Sequence, residues 1–297
     1  MSYAKLGYYF IKNVISGAQF PVAISIDVTN KCNLRCKHCY FFQQDHDKEL
    51  AGEELLGRVL QVKKKNPSII HASWVGGEPL LRQEIVEQGI KIFPFNMVVT
   101  NGSIELPKWN NCVFNISVDG TKEYYEQIRG VNTYDKLKRN ADRDDIHVNI
   151  ACVLNKKNQN CIESLLEEWK HAKIQGINFD FYTPIKGIEE DLWLDWGERD
   201  AIIGRLLVLK KKYGNFILNS KPILELMKSK NSTGITSNCI LPKAVICLDP
   251  MGNRKLPCVI GGKADCARCG CVVPFQIESV IVKKQIGSFI VTKKLFT

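Results

Sequence analysis

The opening residues, MSYAKLGYYFIKNVISGAQF, have no long uninterrupted apolar run and carry Lys5 and Lys12, so neither a secretory signal nor a membrane span is expected and the protein is placed in the cytoplasm. The chain also lacks the brevity of a secreted disulfide scaffold. Its 297 residues, 45% hydrophobic, suffice for a large core, which excludes disorder as the main state. A recognisable appended RNA-binding motif is absent too, so no nucleic-acid partner is expected despite a formal net charge of +10. The lysine runs at Lys63 to Lys65 and Lys210 to Lys212 are expected on solvated helix faces.

Strand and helix patterns alternate after a short amphipathic opening helix. PVAISIDVT, SIIHASWVGG, NMVVTNG, CVFNISVDG, IHVNIACVL and INFDFYTPI read as six strands with helices between them, the signature of parallel βα units. In the helix after Asn160, that residue is the expected cap, Glu163 takes the capping-box position, and Ile162, Leu165, Leu166 and Trp169 form one apolar face before Gly176. Beyond Pro184 the alternation stops. Two helices follow, then short strands, glycines and cysteines, which divides the chain into 1–190, a helical connector 191–235 and a tail 236–297.

Strands of a doubly covered parallel sheet read as nearly continuous apolar runs. Here one face is repeatedly polar: Ser25, Asp27 and Thr29; His71 and Ser73; Asn96 and Thr100; Asn115, Ser117 and Asp119; Asn149; Asn178, Asp180 and Tyr182. The opposite faces are apolar and suit covering helices. The expectation is an α/β fold, a partial six-stranded (β/α)6 TIM-type barrel, open rather than closed, with a polar lumen and a small irregular cysteine-rich extension. Asp180, Tyr182, His71 and Asn149 are candidate substrate-facing residues on this ground alone.

The 12 cysteines fall unevenly, three in TNKCNLRCKHCYFF and six in the tail, a distribution that favours metal ligation over disulfides. A structural zinc site usually takes four ligands. Three thiolates, such as Cys32, Cys36 and Cys39, can instead hold three irons of a four-iron cluster and leave the fourth free to chelate a small molecule.

On these residues the sequence resembles the radical S-adenosylmethionine superfamily, whose C-x-x-x-C-x-x-C loop follows the first strand. The resemblance implies an enzyme with a [4Fe–4S] cluster on Cys32, Cys36 and Cys39 that cleaves S-adenosylmethionine to a 5′-deoxyadenosyl radical. GGEPL, with Gly76, Gly77 and Glu78, matches the motif whose backbone accepts the methionine amino group. TNG, with Asn101, and SVDG, with Ser117 and Asp119 reaching the ribose, match further segments. Arg129 matches an arginine on the methionine carboxylate, and Leu154 ends the fifth strand where the adenine lies. His38 stands where the family carries an adenine-packing aromatic, while Tyr40, Phe41 and Phe42 shield the cluster.

The tail resembles a SPASM/twitch-type extension, which implies one auxiliary [4Fe–4S] cluster on Cys239, Cys258, Cys266 and Cys269, with Cys247 or Cys271 as alternatives. No cysteine follows Cys271, so a second auxiliary cluster is not expected. Zinc suits the same four thiols. Cys112, Cys152 and Cys161 read as core residues. The resemblance implies a reductant such as flavodoxin or ferredoxin and a peptide or protein substrate, although the ~20 residues before the first strand are too few for a dedicated peptide-binding domain. An isoprenoid lipid or other small molecule is the alternative, with peripheral membrane contact by a basic chain. A non-catalytic electron carrier is the reading from another class, and it leaves GGEP, SVDG and Arg129 without a role.

Overall fold

The computed structural model describes residues 20–44, 48–130 and 132–283. The expected opening helix, with Lys5 and Lys12, lies outside them. All six expected strands form: β1 Ala23–Asp27, β2 His71–Val75, β3 Phe95–Thr100, β4 Cys112–Ser117, β5 His147–Leu154 and β6 Ile177–Phe181. Each lies parallel to its predecessor; helices return the chain across one face in every crossover except β3 to β4, which residues 101–111 span without a helix. The helices are α1 Gly52–Lys65, α2 Gln83–Gly89, α3 Lys122–Arg129 with α4 Tyr134–Ala141, and α5 Ile162–Trp169.

The sheet continues past β1. After α6 Trp196–Tyr213, α7 Lys221–Met227, α8 Ser229–Ser237 and the single turn α9 Leu241–Ala244, the chain forms β7 Val245–Leu248, parallel to β1, and β8 Arg254–Lys255, antiparallel to β7. The strand order is β6-β5-β4-β3-β2-β1-β7-β8. The segment expected as an extension beyond residue 236 therefore gives two strands to the barrel's own sheet, covering the backbone edge that β1 would otherwise expose.

The helix-facing side is the core, with Ile24, Ile26, Trp74, Phe114, Ile150 and Phe179 fully buried. The apolar face of α5 forms as expected, since Ile162, Leu165, Leu166 and Trp169 are all buried. Its entry differs from expectation. Cys161 occupies the N-cap without a side-chain bond, because a tight turn through Asn155 and Asn158 already delivers the chain into the helix. Glu163 pairs instead with Arg205 at 2.6 Å, and the helix ends at Trp169, well before Gly176.

The lysine runs fall in the last turns of α1 and α6, where positive charge complements the helix dipole. The first lysine of each run also satisfies carbonyls beyond its helix: Lys63 donates to Pro67 and Ile69, and Lys210 to Gly214 and Ile217. Among the described residues no helix is long and apolar enough to cross a membrane.

Register corrects the polar face at β3. Asn96 pairs with Ala72 and Cys112 and so shares the helix-facing side, as does Thr100, while Phe95, Met97 and Val99 line the lumen. Asn96 is polar there because its amide donates to the carbonyls of Ile90 and Phe93 after α2 and accepts from Trp74 Nε1 at 3.1 Å.

Candidate active site

The thiol loop leaves the C-terminal end of β1, where parallel α/β sheets place their sites. It is tied down from three sides. Lys37 N–H donates to the Ile128 carbonyl in the last turn of α3 at 2.9 Å, and Cys39 N–H to Cys36 O at 3.1 Å. From the second strand, Gly77 and Glu78 N–H donate to Thr29 O and Lys31 O at 2.9 and 2.8 Å. Gly76 takes a φ of +118°, and a Cβ on Gly77 would stand 2.1 Å from the Lys31 carbonyl oxygen, so the loops meet only because glycine is there.

Glu78 is fully buried, and its carboxylate accepts from Leu80 N, Thr100 Oγ1 and Asn101 N. It thereby fixes Asn101, whose amide donates to Asn33 at 2.8 Å and lies 3.9 Å from Cys32 Sγ.

The third tie is electrostatic. Asp119 is fully buried; one oxygen lies 2.6 Å from Arg129 Nε and 2.8 Å from His38 Nε2, and the other accepts Val153 N–H at 2.8 Å. Burial would raise this carboxyl, but Arg129 and His38 outweigh it and hold it well below its ordinary value. Arg129 Nη1 in turn lies 3.8 Å from Cys36 Sγ. Burial pushes the Cys36 thiol up to about 11, opposed by Arg129.

Asp119 accepts from Arg129, His38 and Val153 within the protein, and Ser117 is half-buried on the lumen face of β4. Leu154 is fully buried on the helix-facing side, so at that level of β5 the side chain turned to the lumen is Val153. Strand alternation decides which of Val153 and Leu154 faces the lumen. His38, 7% exposed, is oriented by Asp119, and Phe41 is buried beneath the loop.

The expected substrate-facing residues share the lumen. His71 is held to about 4 by burial and lies 3.1 Å from Ser73 Oγ. Asp180, raised to about 6 by burial, accepts Val272 N–H at 2.7 Å and Asn178 Nδ2 at 3.0 Å, and Tyr182 is buried beyond it. Asn149 is buried, and its Oδ1 has no partner among the described residues. Sequence reasoning missed Lys255 of β8, which pairs with Asp27 of β1 and donates to the Val259 carbonyl. The second Asp27 oxygen has no partner among the described residues. An unbroken alternating pattern on β1 marked Asp27 as inward, but nothing local marked its partner.

Five tail thiols, Cys239, Cys258, Cys266, Cys269 and Cys271, line one cavity with Thr183, Ile260 and Pro274. Cys247 does not line it: β7 places that residue beside Ser25 on the sheet. Thr183 Oγ1 lies 3.9 Å from Cys269 Sγ and accepts Gly270 N–H at 2.8 Å. A Cβ on Gly270 would stand 2.2 Å from the Phe181 carbonyl oxygen, so glycine lets the tail run directly against the end of β6. Both thiol groups fit an iron–sulfur cluster in donor type and number, the trio with one position open. No three histidine, cysteine, aspartate or glutamate residues among those described stand close enough to share a single metal ion. Cys112, Cys152 and Cys161 are buried in the core as expected.

The family model described as Radical SAM superfamily matches residues 26–188. Fe-coproporphyrin III synthase of Methanosarcina barkeri is 26% identical over 209 residues, covering 63% of this chain and 52% of the relative. The sporulation killing factor maturation protein SkfB of Bacillus subtilis is 26% identical over 171 residues, covering 51% and 40%. The chain thus spans about half the length of the curated relatives it matches. In fold it is similar to native anSMEcpe with bound AdoMet and Cp18Cys peptide, with a TM-score of 0.63 at 20% identity over 93% of this chain and 84% of that one.

Proposed function

Because the chain belongs to the radical SAM superfamily of enzymes, which use a [4Fe–4S] cluster and S-adenosylmethionine, we propose that it modifies a peptide or protein, with Cys32, Cys36 and Cys39 holding that cluster and the tail holding an auxiliary one on Cys239, Cys258, Cys266 and Cys269. When bound, the cluster and S-adenosylmethionine supply reductive cleavage to a 5′-deoxyadenosyl radical that removes hydrogen from an unactivated carbon. The protein's own part is orientation. Asp119 holds Arg129 and His38 against the thiol loop, Glu78 holds Asn101 near Cys32, and Gly76 and Gly77 bring main chain beside the loop. Burial at Ser25, Asp27 and Asn149 limits water in the inner part of the lumen.

The lumen offers one observation in support of the peptide class. Asp27 Oδ1 and Asn149 Oδ1 are buried acceptors without partners among the described residues. Leaving such a group unpaired costs about 1–3 kcal/mol, so the lumen favours a guest that brings N–H donors. A peptide has a donor at nearly every residue, whereas an isoprenoid chain has none. The maturation protein among the relatives and the peptide-bound structural neighbour support the same class.

The test is anaerobic reconstitution followed by counts of iron and sulfide, then dithionite and S-adenosylmethionine with a tryptic peptide pool or with vesicles containing isoprenoid lipid. About eight irons per chain are expected for two clusters, with 5′-deoxyadenosine formation stimulated by peptides. Stimulation by the vesicles alone overturns the substrate class. An intact cluster without any 5′-deoxyadenosine returns the protein to the carrier class.

A further inference from the structure

Arg199 lies near the start of α6 and is fully buried. Its guanidinium sits against two rings, 4.7 Å from the centroid of Phe181 and 4.4 Å from that of Trp196. Nη1 donates to the Cys269 carbonyl at 2.9 Å. Nε and Nη2 have no hydrogen-bond partner among the described residues. The neighbouring carboxylate, Asp200, turns both oxygens to Ser229, and the capping acids Asp195 and Glu198 bond each other's backbone N–H.

An unpaired buried guanidinium is among the most expensive groups a core can hold. The N-terminal end of a helix adds to that cost, since the dipole there is positive. Aromatic faces recover only part of it. Asp200 supplies part of the missing negative charge, and a second source lies in this neighbourhood, because Cys269 shares its cavity with four more thiols. Four thiolates around an iron–sulfur core carry net negative charge, and nearby positive charge stabilises the reduced form most.

We propose that Arg199 is the counter-charge of the auxiliary cluster, raising its reduction potential and holding the Cys269 backbone in place. The proposal rests on the tail cluster proposed above. It assigns Arg199 a positioning and electrostatic role, without ligation and without contact with substrate.

The two ideas separate in one experiment. In the full chain with Cys32, Cys36 and Cys39 all changed to Ala, the tail cluster is the only redox centre, and its midpoint potential is read by titration monitored by electron paramagnetic resonance. About four irons should remain. Arg199→Gln should move the potential to more negative values, and Arg199→Met, which keeps an apolar stem between the rings, should do the same. Arg199→Lys should stay near the parent. Retained iron with an unmoved potential in either neutral variant overturns the counter-charge role while leaving the tail cluster standing. Absence of iron in the parent overturns the tail cluster, and the role of Arg199 with it. If both neutral variants lose iron while Arg199→Lys keeps it at the parent potential, the charge requirement is supported through cluster retention.

Discussion

Replacing Asp119 by Asn tests how the thiol loop is held. The side chain is fully buried, and its Arg129 partner is 9% exposed, so solvent screens the pair little. The amide oxygen of the variant can still accept the Val153 N–H, so that bond is retained. What is lost is the charge facing Arg129 Nε at 2.6 Å and His38 Nε2 at 2.8 Å, and the amide presents a donor on one side. Removing one partner of a buried pair costs about 3–5 kcal/mol because the other charge is left uncompensated. A domain of ordinary stability has only about 5–15 kcal/mol in total. Urea unfolding of the iron-free protein under anaerobic conditions should show that loss as a lower midpoint with an unchanged slope. Arg129→Gln in the same chain should recover part of it, since the uncompensated charge is gone. A single variant within 1 kcal/mol of the parent, or a double variant whose loss is the sum of the two single losses, would refute the reasoning.

Gly77→Ala should reduce iron retention at the trio and weaken S-adenosylmethionine binding at least tenfold, measured by iron content and equilibrium dialysis, because the Lys31 backbone must move. Gly57→Ala, in the middle of α1 with open space around it, is the control and should gain up to about 1 kcal/mol. Asn96→Leu leaves Trp74 Nε1 and the Phe93 carbonyl without this partner, at about 1–3 kcal/mol for each unsatisfied group; a thermal midpoint equal to the parent's would contradict the assignment of this side chain to the helix layer. For pH, burial holds His71 at about 4 in the folded state against an ordinary 6.5, so the folded protein binds fewer protons between those values and loses stability as pH falls through that window. The loss approaches about 3 kcal/mol below pH 4. Asp27 and Asp180, both raised to about 6, act in the opposite sense over the same range, so the readout is the difference between parent and His71→Gln, which should shift toward the variant as pH falls. A difference that stays constant from pH 7 to 4 would count against burial of the ring.

The six βα strands were legible because hydrophobic alternation and helix periodicity are local signals. The thiol loop was legible for the same reason, its three cysteines lying within eight residues of chain. Alternation was less reliable where a polar side chain serves the helix layer. Asn96 looked inward by polarity and faces outward by register, and Leu154 stood near the expected adenine position in sequence but on the other face of β5. The partnership of Asp119 with His38 and Arg129 joins three segments, and that of Asp27 with Lys255 joins opposite ends of the chain. No local pattern encodes such a meeting. The place of Cys247 on the barrel sheet was hidden likewise, because its neighbour there is β1, far away in sequence.

The pairing of Ala23 with Val245 has a bearing on how the protein is made. A chain emerging from the ribosome can close β1 against β2 early, since a single helix separates them. The other edge of β1 has no partner until β7 is synthesised, and contacts between such distant segments form slowly. The interval leaves an open strand edge beside a thiol loop, the kind of exposed template that invites pairing with other chains. Iron delivered after the tail has docked would meet a finished scaffold, while iron delivered earlier would meet a loop whose first strand is still bare on one side. Order of synthesis and order of metal loading are thus linked through a single strand.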